Sequence, residues 1–259
     1  YTYLLRLGDN ALILGHRLSE LCSRAPFIEE DLAITNMALD MIGRAQALLN
    51  YAAQVEEAGH TEDELAYRRA ENHYYNHLIT EMPNGDFART IARQLFVSAF
   101  ELYQYTELEK SRDVVIAGIA AKAVKEIRYH LEHAADWTIR LGDGTAESRA
   151  RMQSAVNDLW MWTGELFEMD EVEMKLMRDG LAADLIPVKA QWYNHVKHVL
   201  AEATLEMPED SYMQTGSREG KHTENLGHIL SEMQYLQGPT RTLYGNIRER
   251  YSSVHRLHS

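Results

Sequence analysis

The stretch Lys125–His133, KEIRYHLEH, sets a histidine among glutamates inside a run of helical periodicity. Carboxylate-bridged di-iron sites use such residues, with glutamate three positions before histidine so that both ligands leave one helix face. Three positions before His130 stands Ile127, and Glu126 is one position out of step. The comparable earlier stretch, LDMIGRA, gives Asp40 followed three residues later by Gly43, which has no ligand atom. Such a site needs about four carboxylates and two histidines that converge. The nearest further acids on neighbouring helices are Asp9 and Glu101. His130 shares a face with Ile127 and Ala134 and is expected to point inward, as a hydrogen-bonded core residue or a ligand. An acid such as Asp40 could be its hydrogen-bond partner, and Glu126 lies on the flank.

Other stretches suggest weaker chemistry. HVKH (195–198) with Glu202, and HTENLGH (222–228) with Glu224 and Glu232, place histidines and acids one turn apart. A chain with 12 histidines produces such pairs by chance, so packing is the expected role rather than metal binding. In NHYYNH (72–77), His73, Tyr74, Tyr75 and Asn76 could stack on a ring and hydrogen-bond an amide chain, as an acyl-CoA presents. The same residue types serve protein interfaces. In EMKLMRDG (173–180), Met174, Lys175 and Leu176 sit on an otherwise acidic helix whose Lys175 and Arg178 could meet a phosphate or simply face solvent. Cys22 lies beside the first helical stripe and is expected to be a buried, inert thiol. No glycine-rich phosphate loop and no nucleophile–base signature occurs.

Helices must position all of these groups, because period-two alternation is hard to find. Tyr3, Leu7, Ala11, Leu14, Leu18 and Leu21 mark a first helix that stops before Pro26. Ile34, Ala38, Met41, Ala45, Leu48, Ala52 and Val55 mark a second, opened by Glu29, Glu30 and Asp31, whose charges suit a helix start. After MPNGD (82–86), with Asp86 as N-cap, Phe87 to Tyr105 carries a third. Ile116 to Leu141 carries a fourth, including the apolar run VVIAGIAAKAV, which Lys122 interrupts. The expectation is an all-α chain built on a long antiparallel four-helix bundle. Further helices are expected near 146–168, 171–179, 187–206 and 221–237, and residues 62–81 read as helical only in patches. Residues 1–238 read as one domain and 239–259, with Arg241, Arg248, Arg250 and Arg256, as a basic arm. Tyr74, Tyr75, Tyr103, Tyr105, Trp160, Trp162 and Trp192 exceed what one four-helix core holds and are expected as interface anchors.

Composition limits the function classes. A net charge of −13 opposes binding to nucleic acid or an anionic membrane. One cysteine allows no internal disulfide and fits a reducing cytoplasm. The sequence shows no signal peptide and no apolar run near the ~20 residues of a membrane span.

Five separated motifs in order, LRLGDN (5–10), LDMIGRAQ (39–46), MPNGDFARTIARQ (82–94), KAVKEIRYHLEH (122–133) and HTENLGHILSEMQYLQ (222–237), resemble the C subunits of bacterial phenylacetyl-CoA epoxidases. The resemblance runs from Tyr1 to about Gln237. It implies a ferritin-like fold in a multicomponent oxygenase of phenylacetate degradation, whose homologous A subunit carries the di-iron site. The C subunit pairs with A, supports it and holds no cofactor. Where the catalytic subunit reads Glu-x-x-His twice, this chain reads Asp40-x-x-Gly43 and Ile127-x-x-His130, which the resemblance makes vestigial metal-site positions. His73, Tyr74, Tyr75, Asn76, Met174, Lys175 and Leu176 are then expected near the substrate or the subunit boundary. Two other readings remain: an autonomous di-iron oxygenase using Asp9, Asp40, Glu101, Glu126 and His130, and a helical interaction module unrelated to aromatic catabolism.

Overall fold

The computed structural model describes residues 1–209 and 212–235. The basic arm expected at 239–259, and the last two residues of the helix expected at 221–237, lie outside the described residues. In chain order come α1 (Thr2–Ser19), α2 (Ile28–Glu56), α3 (Glu62–Tyr67), α4 (Leu78–Glu81), α5 (Phe87–Leu108) and α6 (Val114–Gly142). They are followed by α7 (Ala146–Trp160), α8 (Glu171–Arg178), α9 (Leu185–Glu202) and α10 (Glu224–Met233). No strand occurs among the described residues, and none of their helices is long and apolar enough to cross a membrane.

The boundaries follow local chemistry. Asp86 opens α5 by accepting from the Arg89 amide at 2.9 Å. Asp113 opens α6 by accepting from the amides of Val115 and Ile116 at 2.9 and 3.1 Å, satisfying donors that have no partner inside the helix. Thr61 and Glu64 form a reciprocal capping box on α3. The helix expected to reach residue 168 stops at Trp160 and resumes as a 3-10 turn over Gly164–Phe167.

Helices α1 and α2 form one hairpin, and α5 and α6 the other. Contacts between α2 and α6 run Glu30 to His133, Asp40 to His130 and Tyr51 to Asp113, so these helices are antiparallel. Because α5 and α6 are also antiparallel, α2 and α5 run the same way. Residues 57–86 are therefore a crossover along the bundle, which is the ferritin-like connection.

Helices α1 and α5 are buried on all sides rather than along one stripe. Every residue from Tyr3 to Gly15 and from Thr90 to Glu101 is buried. Helices α2 and α6 cover one side of this inner pair, and α4, α7, α9 and α10 pack against the other. One hydrophobic cluster consequently runs from Tyr3 to Leu230.

This second layer corrects the reading of the aromatic residues. Tyr74, Tyr105, Trp160 and Trp192 are core residues, and Tyr75, Tyr103 and Trp162 are half-buried. Trp160 stacks on Trp192 at 5.6 Å, Phe167 meets Trp192 edge-on at 5.1 Å, and the Trp192 indole donates to the Phe96 carbonyl at 2.8 Å. A tally for a four-helix core omits the core that α7 and α9 add. Cys22 is also corrected: α1 ends at Ser19, so the thiol stands exposed in the turn instead of on the buried stripe. Trp192→Ala is expected to destabilise the fold by about 3–5 kcal/mol, the usual cost of deleting a buried aromatic. Trp192→Phe should cost much less. Denaturant melts of both variants check this.

Candidate functional site

The centre of the bundle is where a di-iron site would lie, and its inward-facing residues differ by one position from the motif frame on α2. The buried pair spaced by three there is Met41 and Arg44, at 0% and 4% exposure. Asp40 and Gly43 are about 100° around the helix and sit on its flank. A Cβ added to Gly43 would meet nothing within 4 Å. On α6, Ile127 and His130 do face inward and are fully buried. Asp40 reaches across from the flank, its Oδ2 3.1 Å from His130 Nε2.

Arg44 decides the chemistry. Its Nη2 lies 2.8 Å from both carboxylate oxygens of Glu101, and its guanidinium lies 4.9 Å from the centre of the Tyr105 ring. Burial works against the Arg44 cation, but the adjacent Glu101 charge overrides it and holds the pKa above its usual value. Asp9 points away from this pair. It accepts from the Tyr75 amide at 2.9 Å and from Arg69 Nη1 at 3.0 Å, with Arg69 Nη2 on its other oxygen. Glu126 is half-buried and pairs with Lys122 at 3.3 Å.

Asp9, Asp40, Glu101, Glu126 and His130 therefore do not converge. Among the described residues, no group of three or more His, Cys, Asp or Glu side chains is placed to hold a metal ion. The residues present do not fit a di-iron centre, because two of the four carboxylates, Asp9 and Glu101, already face arginines, and Glu126 faces Lys122.

The segments expected near substrate divide between two cavities. Tyr74 and Asn76 are internal: the Tyr74 hydroxyl donates to the Ala66 carbonyl at 2.7 Å, and Asn76 Nδ2 donates to Thr80 Oγ1 at 3.1 Å. His73 and Tyr75 line a cavity of about 440 Å³ with Arg68, Arg69 and His60. Met174 lines a separate groove of about 820 Å³ with Phe167, Met169, Met177, Ile186 and Lys189. Lys175 is exposed and Leu176 is half-buried against the core.

The surrounding structure depends on three further buried carboxylates that no spacing in the sequence marks. Glu165 accepts from the amides of Leu78, Gly216 and Ser217 at 2.8–2.9 Å. Glu173 pairs with Arg218 at 2.9 Å and with Arg6 at 3.3 Å. Glu81 accepts from the Thr223 amide at 2.7 Å and faces His222 Nδ1 at 3.1 Å.

His222 Nε2 lies 2.8 Å from the Tyr74 carbonyl, which can only accept, so that nitrogen carries a proton. The second nitrogen faces a carboxylate, which favours the imidazolium. Burial lowers the His222 pKa, and the hydrogen bond and charge of Glu81 outweigh burial, leaving it raised. His222 thus fastens the segment leading into α10. His195 takes the Tyr103 hydroxyl at 3.0 Å, and His198 stands exposed beside Glu202.

Both kinds of pair are open to test. Arg44→Met leaves Glu101 buried without a cation and should cost about 3–5 kcal/mol, whereas adding Glu101→Leu should recover most of the loss. Chemical denaturation of the single and double variants checks this. Because the folded pKa of His222 is raised, its stabilisation is complete below about pH 6.5, the unfolded value, and is lost as pH rises through the folded value. Melting temperatures between pH 6 and pH 9 should show this decline, and His222→Gln should abolish that component.

Comparison with known proteins bears out the family resemblance. A family model described as "Phenylacetic acid catabolic protein" matches residues 1–242, reaching past the Gln237 limit of the motif resemblance. A curated relative, the C subunit of the 1,2-phenylacetyl-CoA epoxidase of Escherichia coli (strain K12), is 48% identical over 235 residues. That alignment covers 91% of this chain and 94% of the relative. The chain belongs to the phenylacetic acid catabolic protein family.

Proposed function

We propose that this chain is the non-catalytic C subunit of a multicomponent phenylacetyl-CoA epoxidase, working in the cytoplasm beside a catalytic A subunit that carries the di-iron site. The observation that carries the reading is Arg44 on Glu101, with Nη2 2.8 Å from both oxygens. A fixed guanidinium takes the lone pairs a bridging carboxylate would give to metal, and supplies the positive charge the bundle needs without redox chemistry. The 48% identity to the C subunit of such an epoxidase supports the assignment to a complex of this kind.

On this reading the chain contributes shape. Its interior ion pairs hold four long helices in fixed register, and its outer surface receives the other subunits. Contact with the acyl-CoA is confined to the subunit boundary, where His73 and Tyr75, or Met174 and Lys175, are accessible. Nucleic acid and membrane are not partners of a chain with net charge −13.

Expression alone and together with the catalytic subunit tests the proposal. The chain alone should bind no stoichiometric iron and show no oxygenase activity. Co-expressed, it should elute with the catalytic subunit from gel filtration at moderate salt. Two tightly bound irons per chain, with a di-iron absorption band, would contradict the reading.

A further inference from the structure

Residues 212–235 are tied to the body at two ends. The Gln214 amide meets the Met161 carbonyl, and the Gly216 and Ser217 amides meet Glu165. Further on, Thr223 meets Glu81 and Gln234 meets the Arg69 carbonyl. Of the apolar side chains in this stretch, only Leu226, Ile229 and Leu230 are buried. The attachment is therefore largely polar, and stretches with few buried apolar contacts open locally at less cost than a packed core.

One of these contacts suits a single protonation state. The His222 side chain is 0% exposed, with Nε2 2.8 Å from the Tyr74 carbonyl and Nδ1 3.1 Å from Glu81 Oε2. A carbonyl and a carboxylate only accept, and a neutral imidazole has one N–H. Either neutral tautomer leaves a ring lone pair facing an acceptor. Glu81 is also 0% exposed, and its other oxygen takes the Thr223 amide from the same stretch. The charges facing the ring are acids, Glu81 on α4 and Glu71 in the turn at 71–73. The nearby cations are engaged elsewhere. Arg17 on α1 reaches only the main-chain carbonyl of Glu81 and pairs with Glu20, Arg69 pairs with Asp9 of α1, and Lys221 pairs with Glu219.

We propose that residues 212–235 form a strap, latched by the imidazolium of His222 and released with the bundle intact when that ring loses its proton. Deprotonation turns the Nδ1 lone pair on the buried Glu81 carboxylate, and an unmade buried hydrogen bond is costly. Opening lets water solvate both groups. Burial lowers the His222 pKa, but the hydrogen bond and charge of Glu81 leave it raised. The latch is therefore fully closed below about pH 6.5 and loosens as pH rises through the folded value. The strap also backs a cavity. Gln234 donates to the Arg69 carbonyl at 2.9 Å and to the Tyr74 hydroxyl at 3.2 Å, and Arg69 lines the cavity of His73 and Tyr75. Release loosens that wall, so the latch controls the shape of the cavity. Every group in the latch belongs to this chain, so its action does not depend on the partner proposed above.

Hydrogen exchange of the full chain by mass spectrometry, from pH 6 to pH 9 and corrected for the intrinsic rate, tests it. Peptides carrying the Gly216, Ser217 and Thr223 amides should lose protection by up to about tenfold per pH unit above the folded value. Peptides from α5 should keep theirs. His222→Gln should leave the strap loosened to one level at every pH. Glu81→Gln should keep it closed at pH 9, because the new amide donates to neutral Nδ1 while its oxygen still takes the Thr223 amide. Asn76, whose amide also touches Glu81 Oε2, keeps Thr80 and the His77 carbonyl as acceptors in that variant. Wild-type protection that does not vary with pH overturns the proposal. So does a loss shared by α5, or one that persists in Glu81→Gln.

Discussion

The buried pair of Arg44 and Glu101 is the constraint to which the rest of the bundle answers. A carboxylate inside a helix bundle is costly unless a cation or several hydrogen-bond donors neutralise it. Ferritin-like bundles that bind metal meet this requirement with the ion itself. Here the cation is a side chain four residues beyond Asp40 on α2, bonded to a carboxylate 57 positions later in the sequence. The same solution recurs outward from the centre: Arg69 on Asp9, Arg6 on Asp170 and Glu173, and Arg218 on Glu173. Glu165, which lacks an arginine, is met by backbone amides, and Glu81 by the Thr223 amide together with His222. Such pairs add little net stability over well-packed apolar residues, but each one fails if its helix slides.

This arrangement separates shape from chemistry. Helices α1 and α5 form a middle layer that sees no solvent over most of its length, so their polar residues must find partners within the protein. The crossover and the C-terminal segment provide many of them: Arg69 comes from the crossover, and Arg218 and His222 from the segment before α10. The accessory elements are therefore bound to the bundle by specific polar contacts as well as by the aromatic layer around Trp192. On the proposed reading, these contacts hold the bundle in shape without calling on a cofactor, and the outer faces are left for contacts with other chains.

Much of this is legible in the sequence, and the limits have physical causes. The four long helices, the Asp86 cap and the inward orientation of His130 follow from periodicity and local hydrogen bonding, which adjacent residues determine. The α2 frame reads one residue early because Asp40 has the chemistry of a ligand and Arg44 that of a surface residue. Only Glu101, distant in sequence, makes burial of Arg44 tolerable. The tyrosines and tryptophans read as surface anchors because the stripe on α1 does not reveal that α1 is enclosed on every side. Cys22 is displaced from the stripe by three residues of helix that do not form. The HTENLGH spacing marks His222, but not its partners: Glu81, the Tyr74 carbonyl and the amides around Glu165 are brought together by a crossover that sequence spacing cannot encode.

The most direct test of the account is a crystal structure of the chain soaked with ferrous or manganous ion, with anomalous scattering recorded at the metal edge. The account predicts no anomalous peak between α2, α5 and α6, and Arg44 still bonded to both oxygens of Glu101. A peak coordinated by Glu101 and His130, with Arg44 displaced from the centre, would contradict it.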